Sequence, residues 1–153
     1  MPLTVSILGP LEIRVDGAPV TLGGARLRTL VSRLALDPGR AVTASSLIDA
    51  LWADEPPDGA ANALQSLISR VRKSLGDPAL LASTPGGGYR LAIAPESVDA
   101  VRFETLFRSG REALRADDPS AARQTLREAL ALWRGPALAD VADAPFATAP
   151  AAR

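Results

Sequence analysis

The sequence contains no cysteine and no histidine among its 153 residues. Within this chain, that inventory excludes a disulfide framework, a thiolate or imidazole zinc site, a Ser-His-Asp triad and a Cys-His pair. No run approaches the roughly 18 consecutive apolar residues of a membrane span, and the amino terminus lacks the basic and apolar regions of a signal peptide. We therefore expect a cytoplasmic protein without a membrane partner, a metal or a cofactor.

The chain also lacks an excess of charge of either sign, with 17 basic and 17 acidic residues. Its hydrophobic fraction of 47% and charged fraction of 22% are typical of a chain that buries a core. The length allows one domain of about 100 residues followed by part of another. We expect a folded protein with two parts.

The amino-terminal segment shows the alternation of apolar and polar side chains that is typical of half-buried strands. Three short runs of this kind precede residue 23, and the second and third are separated by Asp16-Gly17. An Asp-Gly pair favours a tight hairpin because both positions tolerate a positive φ. The sequence therefore predicts a small antiparallel sheet at the start of the chain.

After Gly24 the apolar residues recur with the 3.6-residue period of helices. The first predicted helix ends before Pro38-Gly39, and the second begins after an N-cap at Thr43. A third helix is predicted from an N-cap at Asp58 to a stop at Gly76. Residues 80–84 and 89–93 follow as two short strands, joined by a proline and three glycines that favour a hairpin turn.

The third helix separates apolar from polar side chains most clearly. Its apolar stripe consists of Leu64, Leu67, Ile68, Val71 and Leu75. The opposite face carries hydrogen-bonding and cationic side chains, namely Asn62, Gln65, Ser66, Ser69, Arg70 and Lys73. Arg70, Arg72 and Lys73 lie on a helix without acidic residues, so the local field is positive although the net charge of the chain is zero.

This arrangement predicts an α+β winged helix-turn-helix: a small antiparallel sheet, three helices and a carboxy-terminal hairpin that forms the wing. A helix fits the major groove of DNA, where amides pair with adenine and arginine with guanine. We expect Asn62, Gln65, Ser66, Ser69 and Arg70 to face bases or adjacent phosphates. Further contacts are expected to phosphates from Arg72 and Lys73, and to the minor groove or a phosphate from Arg90 in the wing.

Each of these features has a plainer alternative. Polar residues opposite an apolar stripe are found on any solvated amphipathic helix. A glycine-rich hairpin also occurs as a purely structural turn, and we interpret Tyr89, Trp52 and Trp133 as packing residues.

From residue 96 the chain becomes richer in alanine and arginine and predicts an all-α segment. Two amphipathic helices are expected here, and Asp118-Pro119 supplies the N-cap and first residue of the second. Together they span about the 34 residues of a tetratricopeptide-type unit. We predict a winged-helix domain over 1–95 and a tetratricopeptide-like segment over 96–153 that stops before another complete helix. Because a single helical hairpin cannot bury its apolar face alone, it either docks on the first domain or belongs to a longer chain.

The motifs taken together resemble a known family. The segments ILGPLEIRVDGAPVTLGG, LALDPGRAVTASSLIDALWADEPP, ALQSLISRVRKSLGD and GGGYRL are similar, in this order and spacing, to the SARP family of antibiotic-pathway regulators of actinomycetes. The amino-terminal domain of that family is an OmpR-type winged helix. The segments VDAVRFETLFRSGREAL and AARQTLREALALWRGPALADVADAPF resemble the start of the family's helical bacterial transcriptional activation domain.

The resemblance implies a transcriptional activator. Members bind direct repeats near the −35 region of biosynthetic promoters as tandem copies, and recruit RNA polymerase holoenzyme through contacts that include its sigma subunit. In OmpR-type proteins the loop before the recognition helix touches the polymerase. By resemblance that contact is carried to Ala53 and to an acidic diproline stretch, Asp54, Glu55, Pro56, Pro57 and Asp58. A solvated connector is the plainer interpretation of this loop.

Two other functions compete with this one. A tetratricopeptide-like interaction adaptor would not bind DNA at all. A hydrolase using Asp54, Glu55 and Asp58 would lack the differentiated carboxylate environments that acid-base catalysis requires, so we do not expect an enzyme.

Overall fold

The structure is a computed structural model that describes residues 2–141. Our expectation for the end of the helical segment, residues 142–153, lies outside the described residues. Within residues 2–141, no helix combines the length and apolar character needed to cross a membrane.

The chain opens with a three-stranded antiparallel sheet, as predicted. Its strands are β1 (Leu3–Ser6), β2 (Glu12–Val15) and β3 (Ala18–Val20), in the order β1-β2-β3. The turn between β2 and β3 is formed by Asp16 and Gly17, with φ values of 51° and 79°. Both residues adopt the left-handed conformation that an Asp-Gly hairpin turn requires.

Three helices follow: α1 (Ala25–Ala35), α2 (Ala44–Trp52) and α3 (Ala60–Leu75). The Thr43 side chain accepts a hydrogen bond from the amide of Ser46 at 3.1 Å, which confirms the predicted N-cap of α2.

The predicted N-cap of α3 at Asp58 is wrong. The cap is Gly59, whose φ of 69° is left-handed, and no side chain caps the helix. Because this glycine occupies the cap position and turns the backbone, the Asp58 side chain does not bond to the first amides of the helix. At the other end, Gly76 has φ 79° and ends α3 as expected.

The second sheet is a hairpin of β4 (Leu81–Ser83) and β5 (Tyr89–Leu91), each shorter than the predicted strand. A 3₁₀ turn at Pro78–Leu80 takes up the start of the predicted first strand. The tip is closed by a hydrogen bond from the Thr84 amide to the carbonyl of Gly88 at 2.8 Å.

Two antiparallel helices follow, α4 (Asp99–Arg115) and α5 (Pro119–Ala131), and a 3₁₀ turn at Ala139–Val141 ends the described chain. The Asp118 side chain accepts from the amide of Ala121 at 3.1 Å, which confirms this predicted N-cap. Gly110 of α4 allows close packing, since a Cβ there would lie 2.6 Å from a methyl carbon of Leu126. The ring of Phe103 meets that of Trp133 edge to face at 5.4 Å.

The helical hairpin docks on the winged helix. The buried carboxylate of Asp99 accepts from the amides of Ile7 at 2.7 Å and Leu8 at 3.0 Å. In the opposite direction, the amide of Leu138 donates to the carbonyl of Ile7 at 2.7 Å. Val98 and Leu138 also belong to the hydrophobic core that the sheet and α1–α3 form. Docking, one of the two outcomes left open by the sequence, is therefore observed.

Candidate nucleic-acid interface

Helix α3 presents one polar face to solvent. Its five predicted apolar positions are all buried in the core, at 7% exposure or less. The six side chains predicted on the opposite face are all exposed: Asn62, Gln65, Ser66, Ser69, Arg70 and Lys73. The main contacts of α3 are with α1, α2 and the segment around the hairpin, and its outer side is exposed with the described helices α4 and α5 in place. A DNA duplex can therefore reach this face.

The charge of α3 is entirely positive. The helix carries Arg70, Arg72 and Lys73 and no acidic side chain, with two of the cations in its last turn. Cations at the carboxy-terminal end of a helix are stabilised by its macrodipole, and exposed ones attract phosphates.

The hairpin lies beside the end of α3 and presents an arginine. Arg90 is exposed, and its neighbours Tyr89 and Leu91 turn inward from the other face of β5. Tyr89 packs against the core, as predicted. At the tip, Gly86 and Gly87 have φ values of 90° and 88°, which side-chain-bearing residues rarely adopt.

The turn end of the hairpin is held by the segment before α2. Val42 and Tyr89 exchange two backbone hydrogen bonds, at 2.8 Å and 3.0 Å. Gly88 fits against this bridge because a Cβ there would lie 2.6 Å from the carbonyl oxygen of Val42. The predicted wing is therefore tied to the helix-turn-helix.

Arg72 behaves differently from the rest of the predicted DNA-contacting set. It is partly buried, and its guanidinium donates to the Leu81 carbonyl and to the Ser83 hydroxyl. Its phosphate contact stays a prediction, and the structure shows the side chain bound to the hairpin. The sequence contained no signal for this contact, because the pairing of residue 72 with residues 81 and 83 depends on the path of the loop between them.

The acidic loop between α2 and α3 is fully exposed from Ala53 to Gly59. It leaves α2 through Ala53, whose φ of 51° is left-handed. The amide of Glu55 donates to the carbonyl of Trp52 at 3.0 Å, and the guanidinium of Arg26 lies 5.7 Å from the centre of the Trp52 ring. Trp52 is half-buried against the core, which agrees with its interpretation as a packing residue.

One apolar groove lies away from α3. A groove of about 320 Å³ is lined by Leu8, Phe103, Phe107 and Trp133 among others. No group of His, Cys, Asp or Glu side chains suited to a metal ion occurs in the part of the chain that the structure describes.

Comparison with known proteins gives two family matches. A family described as "Transcriptional regulatory protein, C terminal" matches residues 17–91. A second, the "Bacterial transcriptional activator domain", matches residues 98–153.

Individual relatives agree with these matches. The transcriptional regulator RedD of Streptomyces coelicolor is 41% identical, over 91% of this chain and 41% of its own length. The regulatory protein DnrI of Streptomyces peucetius is 36% identical, over 91% of this chain and 54% of its own length. The structure of Mycobacterium tuberculosis EmbR in complex with a low affinity phosphopeptide superposes with a TM-score of 0.90, at 37% identity. It matches 98% of this chain and 41% of the EmbR chain.

The chain thus spans about half the length, or less, of these relatives. The similarity nevertheless runs through the sheet, the helix-turn-helix, the hairpin and the two following helices. The chain belongs to the SARP family of transcriptional regulators, with an OmpR-type winged helix and a bacterial transcriptional activator domain.

Proposed function

We propose that this chain binds double-stranded promoter DNA through α3 and the hairpin, and that it activates transcription by recruiting RNA polymerase. The observation that carries the proposal is the outer face of α3, where every predicted base-facing side chain is exposed and none is acidic. Amides and hydroxyls read base edges, and arginine pairs with guanine in the major groove.

In this proposal the side chains have distinct roles. Asn62, Gln65, Ser66, Ser69 and Arg70 face bases or adjacent phosphates, and Lys73 neutralises a phosphate. Arg90 reaches the minor groove or a phosphate, because the negative potential there favours a cation. These contacts account for specificity and for affinity separately, since base contacts select a sequence and phosphate contacts do not.

The acidic loop is the proposed polymerase contact. Asp54, Glu55 and Asp58 are exposed and flank the pair Pro56-Pro57, which restricts the backbone. A stiff acidic loop meets a basic sigma surface with little loss of conformational entropy.

The family supports finer proposals as well. Tandem copies bind direct repeats near the −35 region of biosynthetic promoters, and α4–α5 begin a tetratricopeptide-like helical module. The localisation proposed is the cytoplasm, where such DNA is found in bacteria.

The adaptor without DNA binding is the second candidate. It is favoured by the apolar groove between α4 and the chain after α5, where Phe107 is 45% exposed. It differs from the main proposal in predicting that the side chains of α3 have no effect on any nucleic-acid interaction.

Selection of bound sequences from a random duplex pool separates the two. Direct repeats are expected among the selected duplexes, and a failure to enrich any sequence would favour the adaptor.

Gel-shift titrations of Arg70→Ala and Lys73→Ala then test the roles proposed for these two side chains. Arg70→Ala is expected to weaken specific binding by about 1 to 3 kcal/mol, whereas Lys73→Ala lowers affinity for all sequences and flattens its salt dependence. Unchanged binding in both variants would remove this face of α3 from the interface.

The polymerase contact is tested with Asp54→Ala combined with Glu55→Ala. DNA binding is expected to persist while transcription by purified polymerase falls. The control is Glu112→Ala with Glu128→Ala, which likewise removes two exposed charges, one from α4 and one from α5. Full activation by the loop variant would exclude this loop as the contact.

A further inference from the structure

The guanidinium of Arg72 connects α3 to both strands of the hairpin. Its Nε donates to the carbonyl oxygen of Leu81 at 2.8 Å, and its Nη2 donates to Oγ of Ser83 at 2.9 Å. The same group lies 6.0 Å from the centre of the Tyr89 ring. One side chain therefore contacts β4 through two hydrogen bonds and β5 through an aromatic ring.

These contacts use properties that are special to arginine. A guanidinium is planar and carries donors in a rigid fork, so it bonds two acceptors at once while its face lies against an aromatic ring. Hydrogen bonds from a charged donor are about twice as strong as neutral ones. A lysine at this position offers one flexible ammonium group and cannot reproduce the fork.

The hairpin needs support of this kind because it is small. Each of its strands has three residues, and an isolated two-stranded hairpin is at best marginally stable in water. Its turn end is held by the backbone bridge between Val42 and Tyr89. The Arg72 contacts hold it from the α3 side. Arg90, on the outward face of β5, is carried by a hairpin that is fixed at these two places.

We propose that Arg72 is a positioning residue for DNA recognition and not a phosphate ligand. It holds the hairpin in the orientation relative to α3 at which Arg90 and the α3 side chains reach one duplex together. This inference rests on the proposed DNA-binding function. It differs from the sequence-based assignment, which placed Arg72 with Lys73 on the phosphate backbone.

A double-mutant cycle distinguishes positioning from direct contact. Arg72→Met keeps the aliphatic stem but removes the fork, and is expected to weaken binding of the selected duplex about tenfold, equivalent to about 1.4 kcal/mol. In an Arg90→Ala background the same change is expected to cost less than about twofold, because the hairpin then has no arginine to position. Lys73→Met is the matched control, and its loss should be equal in both backgrounds.

Salt dependence supplies a second readout. The slope of log affinity against log salt is expected to decrease by about 0.9 for Lys73→Met, since one phosphate contact is lost. For Arg72→Met in the Arg90→Ala background, the slope should stay unchanged. Arg72→Lys should behave like Arg72→Met, whereas a phosphate ligand would be replaced by lysine with little loss.

Amide hydrogen exchange on the DNA-free protein tests the structural half of the inference. Faster exchange is expected in Arg72→Met at the hairpin amides, including that of Thr84, but not at amides of the α1 core. Lys73→Met should leave the hairpin unchanged. Unaltered hairpin exchange in Arg72→Met would overturn the positioning role. So would a tenfold loss of affinity with a lower salt slope when Arg72→Met is made in the Arg90→Ala background. If the wild-type chain selected no duplex, the proposed function itself would fail, even where exchange showed that Arg72 holds the hairpin.

Discussion

At the scale of single residues, the two aspartates at the junction between the sheet and the helical hairpin differ in burial. Asp99 is 2% exposed and accepts from two backbone amides, those of Ile7 and Leu8. Asp140 is exposed and accepts from the amide of Leu11 at 3.0 Å. Removing each carboxylate should lower the free energy of unfolding by a different amount, because the buried amides of Ile7 and Leu8 cannot bond to water instead.

We therefore predict that Asp99→Ala lowers the free energy of unfolding by about 2 to 5 kcal/mol, since it strands two buried N–H groups. Asp140→Ala, the matched control, should cost less than about 1.5 kcal/mol. Urea denaturation of both variants measures the difference. Equal destabilisation by the two would show that burial of the carboxylate is not what makes this junction strong.

A glycine at the turn end of the hairpin gives a steric test. A methyl group at Gly88 meets the Val42 carbonyl at 2.6 Å, whereas one at Gly23 meets no atom within 4 Å. Gly88→Ala should destabilise by about 1 to 3 kcal/mol, as overpacking does, and should weaken DNA binding through the wing. Gly23→Ala is the control and should change neither property. A Gly88→Ala protein with wild-type stability and binding would mean that the bridge to Val42 moves without cost.

At the scale of elements, the residue patterns of the sequence predicted the helices and strands but not the contacts between them. Every predicted helix and strand of the described chain is present, because period and turn chemistry are local properties of the sequence. Thr43 and Asp118 cap helices as their types and positions indicated. Asp58 does not, since the neighbouring Gly59 takes the cap position with a left-handed conformation that a residue pattern does not reveal.

Because residue patterns are local, they also missed the contacts made by the side chains of Arg72 and Asp99. The exposed face of α3 follows from its apolar stripe, so its side chains were placed correctly on the solvent side. The bonds of Arg72 and Asp99 join residues that are distant along the chain or separated by a turn, and no period encodes them. A buried aspartate that accepts from two amides becomes visible only when the fold brings its partners together.

Two of the three predicted N-caps, Thr43 and Asp58, form a test at this scale. Thr43→Ala should destabilise by about 1 kcal/mol because the amide of Ser46 loses its acceptor. Asp58→Ala should leave stability within about 0.5 kcal/mol, as expected of a surface residue that caps nothing. Thermal or urea unfolding compares them. A larger loss for Asp58→Ala than for Thr43→Ala would contradict the cap geometry at Gly59.

At the scale of the whole molecule, the winged helix and the helical hairpin share a core and a set of backbone bonds. The Ile7–Leu11 corner is bonded to α4 by Asp99 and to the chain after α5 by Arg134, whose amide donates to Leu8 at 2.8 Å. Gly9, with φ 137°, allows this approach because a Cβ there would lie 3.0 Å from that of Arg134. The orientation of α4–α5 relative to the winged helix is therefore fixed by buried contacts.

One tryptophan lies in each part, which makes the coupling measurable. Trp52 reports on the helix-turn-helix and Trp133 on the helical hairpin. In the single-tryptophan variants Trp133→Phe and Trp52→Phe, fluorescence should give coincident urea transitions if both parts unfold as one cooperative unit. Adding Asp99→Ala should separate the two midpoints, with the helical hairpin unfolding first because it has the smaller core. Separate midpoints with Asp99 in place would mean that the junction bonds do not couple the parts, and that α4–α5 unfold independently of α3.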